Sequence, residues 1–303
     1  MIAFIFAFIS LITPYSSEND TLTTIPFKMV GEHMYFEMSV NGQENLQFIF
    51  DTGANATVLS HETAKKLGVK TTCSETAQGA SGSTQVFIAG NNNIEFGGLN
   101  LDDVDFYVVN IDHLKPFNQQ LDGIIGAAML NSYIIEFDYD DEVMRLYNPE
   151  HFNAPEHWQK ESFVFEEYGI PIIEATVSLP SGTTYTGRYL VDTGAGLSLK
   201  FNTPFVKETN LSKALGINST YQTQALSSSS ATDILSTVPG FEVFGHTFTN
   251  FTARLSQGNS GVSALEEFHG ILGHTILKRF NAIYDYKNET MYLKPNKLYS
   301  SEF

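Results

Sequence analysis

Two stretches of this chain say nearly the same thing. Residues 48–60 read FIFDTGANATVLS and residues 189–201 read YLVDTGAGLSLKF. In each, an apolar strand runs into an aspartate and then at once into Thr-Gly-Ala. The agreement continues on both sides. Residues 24–54 and 169–195 each hold an Ile-Pro pair, an alternating strand, a Gly-bearing turn and a second strand ending on Asp. A helix is expected next in each half. Ser60 caps HETAKKL before Gly68, and Thr203, with Pro204 at the first helical position, opens FVKETNLSKAL before Gly216. Polar hairpin tips follow at 77–83 and 224–230. LDGIIGAAML (121–130) then pairs with FHGILGHTIL (268–277), both Gly-apolar-apolar-Gly followed by a short helix. Last, hairpins at 136–147 and 283–293 match. Any one of these elements is ordinary strand–turn–strand architecture, but their common order predicts one mainly-β unit used twice, by internal duplication.

A carboxylate at the end of a buried strand is costly unless something satisfies or uses it. Two of them, from two copies of one unit, would meet on a pseudo-two-fold axis, where they cannot both ionise cheaply and so share one proton. Such a pair supplies both halves of a hydrolysis: the ionised member takes a proton from water, and the protonated member hydrogen-bonds the scissile carbonyl. No metal, cofactor or covalent intermediate is called for.

Two hydrophobic-hydrophobic-Asp-Thr-Gly-Ala motifs, each followed by Gly-apolar-apolar-Gly, resemble the pepsin and retropepsin superfamily of aspartic peptidases. The chain is most similar to the bacterial exported retropepsin-like proteins that carry both copies in one polypeptide. The likeness spans roughly residues 24–298. It implies two similar β-barrel-like lobes related by pseudo-two-fold symmetry, with short helices. The expected division is an amino-terminal lobe at 24–149, a connection at 150–168 and a carboxyl-terminal lobe at 169–298. The resemblance also implies that Asp51 and Asp192 are the catalytic pair, that Thr52 and Thr193 interlock beneath it, and that Gly53 and Gly194 shape the two loops. Segments 121–126 and 268–273 would thread behind those loops.

The chain departs from the pepsins in three places. Its single cysteine, Cys73, rules out an intramolecular disulfide and four-cysteine zinc sites. The candidate flap at 75–86 has no tyrosine, and 220–234 is a candidate second flap. Ala54 and Ala195 follow the triplets where pepsins often carry a hydroxyl. Losing that hydrogen bond disfavours the charged carboxylate, so a less acidic pH optimum is expected than for a digestive pepsin.

With a formal net charge of -17, the surface repels phosphate backbones, and nucleic acid is not an expected partner. The apolar run within MIAFIFAFISLITPYSS is too short for a membrane span and fits the core of a signal peptide at residues 1–17, although a basic leader is missing. An exported bacterial protein, periplasmic, surface-bound or secreted, is therefore expected. Neither a G-x-S-x-G elbow nor a phosphate loop occurs, and His269 and His274 read as satisfied histidines rather than metal ligands. Asn55 lies in a glycosylation sequon within the motif loop, where a glycan is not expected. Two functions stay open: a monomeric aspartic endopeptidase acting on extended peptides or proteins, and a non-catalytic peptide-binding or surface interaction protein on the same scaffold.

Overall fold

The strand Gln43–Asp51 shows how the sequence builds the site. It is exposed at its start and wholly buried over Phe48, Ile49 and Phe50 before delivering Asp51 half-buried. Three consecutive buried apolar residues demand cover on both faces, and an inner strand of a layered β-fold provides it. Thr184–Asp192 follows the same course, burying Tyr189, Leu190 and Val191 before Asp192. The computed structural model describes residues 21–79, 82–115, 119–165, 169–224 and 230–303. The leader expected at 1–17 and the hairpin tips at 80–81 and 225–229 lie outside them.

Three sheets make up the fold. The amino-terminal sheet has eight strands, and in it Gln43–Asp51 runs parallel to Gly123–Gly126, which runs antiparallel to Val58–Ser60. The carboxyl-terminal sheet has ten strands and repeats the device: Thr184–Asp192 lies parallel to Gly270–Gly273, itself antiparallel to Leu199–Phe201. Both Gly-apolar-apolar-Gly segments are thus strands, and their glycines are needed for space. A Cβ on Gly126 would fall 2.4 Å from the Ala56 carbonyl oxygen, and one on Gly273 would fall 2.2 Å from that of Leu197. The motif loops cross directly over them.

The third sheet bridges the halves. Its six strands run in the order Thr21–Pro26, Val143–Tyr147, Ile134–Asp138, Phe280–Asp285, Thr290–Pro295, Gln159–Ser162. At its centre Ile134 pairs with Asp285 and Phe137 with Ala282. Aromatic rings tie it to the strand carrying Asp51: Phe50 and Phe137 meet edge to face at 5.0 Å, and Phe137 and Tyr284 at 5.8 Å.

Two sequence expectations are corrected. The helix expected from Thr203 to Gly216 is two, Thr203–Glu208 and Leu211–Leu215, broken at Asn210 in the left-handed region at φ 52°. Its cap position is Asn202, because Thr203 already lies in the helix and spends its hydroxyl on Ser256 Oγ at 3.1 Å. The first-half helix His61–Leu67 is capped as read: Ser60 Oγ accepts from the Thr63 amide at 3.0 Å, and Gly68 closes it at φ 67°. The segment expected as the connection contributes strands, Gln159–Ser162 at an edge of the bridging sheet and Val164–Phe165 paired with Pro171–Ser178.

Candidate active site

Asp51 and Asp192 come together where the two motif loops face each other. Each loop's glycine lies against the other loop's carboxyl group. A Cβ on Gly53 would sit 2.5 Å from Asp192 Cγ, and one on Gly194 would sit 2.3 Å from Asp51 Cγ. No side chain fits there, which accounts for both glycines without reference to backbone freedom.

Beneath the carboxyls the threonines cross over. The Thr52 amide donates to Thr193 Oγ1 at 3.0 Å and the Thr193 amide donates to Thr52 Oγ1 at 3.0 Å. Each hydroxyl then donates onward into the opposite strand, Thr52 to the Val191 carbonyl at 2.8 Å and Thr193 to that of Phe50 at 3.2 Å. Both threonines are fully buried, so every one of these groups depends on its partner in the other half.

The carboxyls are not equivalent. Asp51 Oδ1 accepts from the Gly53 amide at 2.7 Å. Burial pushes the pKa of Asp51 up, while the bond from Asp192, the amides and nearby His33 draw it back. Asp192 is raised much further, first by burial and then by the charge of Asp51 beside it, and its Oδ1 is buried with no hydrogen-bond partner among the described residues. Burial and the like charge beside it therefore favour one shared proton on the pair above the ordinary carboxylate range, the upward push being greater at Asp192.

Sequence reasoning missed the residues that brace this arrangement from the turn before strand His33–Val40. His33 Nε2 bonds the Gly194 carbonyl at 3.0 Å. Glu32 reaches the other half, pairing with Lys278 at 2.7 Å and accepting from Thr275 Oγ1 at 3.1 Å. Burial alone would raise the pKa of Glu32, but the Lys278 ammonium holds it below the usual range. His274, fully buried, bonds the Glu32 carbonyl through Nδ1 and Tyr139 Oη through Nε2 at 2.8 Å. A carbonyl only accepts, so Nδ1 carries the proton and Nε2 accepts from Tyr139. No motif marks this network, because each of its contacts joins residues more than about 100 positions apart and of different types.

His269 has a plainer task. Its Nδ1 accepts from the Arg188 amide at 3.0 Å, just as Asp122 accepts from the Gln47 amide at 2.8 Å at the matching place in the first half. Asp122 also accepts from Thr63 Oγ1 at 2.7 Å, fastening the first-half helix behind the Asp51 loop. Among the described residues no group of three or more His, Cys, Asp or Glu is placed to hold a metal ion. No described helix is long and apolar enough to cross a membrane. Cys73 is free and exposed.

Over the Asp51 side, strands Cys73–Gly79 and Gly82–Phe96 form the expected hairpin, with Gly79 opposite Gly82. Its Ala77 packs on a cluster containing Tyr35, Ile49, Val58 and Ile124. The second candidate flap is the hairpin Ser219–Gln224 with Ser230–Val238.

Three comparisons bear on this geometry. An aspartyl protease family matches residues 36–129, the stretch from strand His33–Val40 to just past Gly123–Gly126. Among solved structures, the aspartic proteinase from Irpex lacteus is similar at a TM-score of 0.58 and 15% sequence identity, covering 92% of this chain and 98% of that one. No curated protein matches the chain. The fold is thus that of the pepsin-like aspartic proteinases, mainly β with short helices, and the resemblance read from the paired motifs stands on both matches.

Proposed function

We propose, on the premise of that fold and of the two facing carboxyls, that the chain is an aspartic endopeptidase. The single observation that carries the reading is the facing of the Asp51 and Asp192 carboxyls, each against the other loop's glycine, across reciprocal threonine bonds. In the proposed reaction Asp51 is the ionised member, favoured by the Gly53 amide, and Asp192 is the protonated one. Water attacks the scissile carbonyl carbon while Asp51 takes a proton from it. Asp192 hydrogen-bonds and then protonates the carbonyl oxygen, giving a neutral tetrahedral diol. When the carbon–nitrogen bond breaks, Asp51 passes its proton to the departing amine and a diol hydroxyl returns one to Asp192. The dyad ends as it began, with one proton.

One chain supplies both carboxyls, so the enzyme works as a monomer on an extended peptide strand-paired with the hairpin Cys73–Gly79/Gly82–Phe96. Export rests on the apolar leader, and the amino-terminal residue of protein recovered from cells tests it. Purified protein without that leader, incubated with a mixed peptide library between pH 3 and 8, should cleave, and Asp51→Asn should not. Equal binding of extended peptides by both, with cleavage by neither, would make the protein a peptide receptor instead.

A further inference from the structure

The two motif-bearing sheets are alike in backbone and unlike in charge. Directly opposed residues on neighbouring strands share a face, as do residues two apart on one strand. In the amino-terminal sheet the face of Asp51 and Ile49 continues through Ile124, Val58 and Tyr107 to Ile88 and Val86. It is apolar at its centre, with Val58 and Val86 buried in one cluster.

In the carboxyl-terminal sheet the same path runs from Asp192 and Leu190 through Ile271 to Lys200, Arg254, Leu235 and Asp233. Lys200 therefore stands where the other half has Val58, and Asp233 where it has Val86. Lys200 is 2% exposed and Asp233 fully buried, and they meet at 3.2 Å. Beyond that ion contact the Lys200 ammonium has no hydrogen-bond acceptor among the described residues.

The third charge is Arg254. It is half-buried and lies over the Tyr221 ring at 4.1 Å, and among the described residues it has no carboxylate partner. Two cations and one carboxylate thus share this face, with Lys200 two strands from the strand of Asp192, about 10 Å across the sheet, and Arg254 three strands, about 14 Å. The chain has only 17 Lys and Arg against 34 Asp and Glu, so a local positive surplus is against its overall trend. A buried ion pair contributes little net stability compared with well-packed apolar residues of like volume, and the matching valines show that the fold accepts those.

From this asymmetry we infer that the carboxyl-terminal half of the cleft selects an acidic side chain, an Asp or Glu of the peptide received by Arg254 with Lys200 and Asp233 behind it. The inference rests on the peptide-cleft reading above and names the substrate class of that cleft. Arg254 offers a planar pair of donors matching a carboxylate, and its guanidinium lies against the Tyr221 ring.

The test uses extended peptides, each with a single Glu or Gln at successive positions, bound to the Asp51→Asn protein so that they survive the measurement. One position should favour Glu over Gln by about tenfold to a hundredfold. In the Asp51→Asn protein carrying Arg254→Gln as well, that ratio should fall close to one. In the Asp51→Asn protein alone, the ratio should also shrink as sodium chloride rises, a readout that does not depend on the second variant folding. No Glu preference at any position, a ratio unmoved by Arg254→Gln, or a ratio insensitive to salt would overturn the inference. Its failure with cleavage by the unmutated protein intact leaves the peptidase reading standing. A clear Glu preference in a protein that cleaves nothing would overturn the peptidase reading alone.

Discussion

Protonating His274 should loosen the whole molecule, and the size of the effect follows from its surroundings. Burial pulls its pKa from 6.5 to about 4. Between those values the unfolded chain carries the extra proton and the folded one does not. Folding there releases a proton, so stability is full above pH 6.5 and is lost as the pH falls towards 4. At ~1.4 kcal/mol for each tenfold in proton affinity, the drop comes to about 3 kcal/mol. The structural cause is visible at the ring. A proton on Nε2 would turn the acceptor of the Tyr139 hydroxyl into a second donor, inside a site without water access.

Asp51 and Asp192, both raised, work in the opposite sense: their shared proton stabilises at low pH and that stability is lost as the pH rises through their folded values. A bare pH profile would mix the two, so the comparison to make is with His274→Gln, whose amide can still donate to the Glu32 carbonyl and accept from Tyr139. Thermal midpoints of both proteins should be followed from pH 7 to pH 4. At about 2–4 °C per kcal/mol for a chain of this size, the unmutated protein should lose about 6–12 °C more than the variant over that span. Parallel curves, with a constant gap across the whole range, would refute the assignment of a buried neutral histidine.

Thr193→Val should cost about 1–3 kcal/mol in denaturant unfolding, since it keeps the volume but orphans the buried Thr52 amide and Phe50 carbonyl. Gly194→Ala should abolish peptide cleavage, because its Cβ would lie 2.3 Å from Asp51 Cγ, and an active variant would show that the loops are placed otherwise. With both carboxyl pKa values raised, the pH–rate profile should peak in the mildly acidic to neutral range, and a maximum near pH 2 would contradict it. Ala54→Ser, offering a hydroxyl next to the Asp51 loop, should shift the acidic limb of that profile to lower pH; an unmoved limb would show that no such bond forms.

What the sequence disclosed was local. The strand running into Asp51, the capped helix from Ser60 to Gly68 and the two Gly-apolar-apolar-Gly strands are each written in fewer than about ten consecutive residues, where periodicity and cap chemistry act. The carboxyl pairing was accessible only because the motif occurs twice. What stayed hidden was contact at long range. Nothing in Ile134–Asp138 announces a partner at Phe280–Asp285, and nothing in Gly-Glu-His at 31–33 announces Lys278 or Gly194. The break at Asn210 was hidden for another reason: the run from Thr203 to Gly216 has no interior Gly and keeps an apolar stripe, so its pattern reads as one helix.

The central pairing of the bridging sheet has a consequence for the order of events in biosynthesis. Residues 134–137 find their partners at 282–285, and the strand after those ends at Pro295, near the end of the chain. Contacts so distant in sequence form late, because a long loop must close before they repay its entropy. Until Asp192 and Thr193 have emerged and folded, Asp51 has no carboxyl beside it and Thr52 no counterpart. On the proposed reading, the first half made alone is therefore without hydrolytic capacity, which waits for the second motif loop to fold against the first.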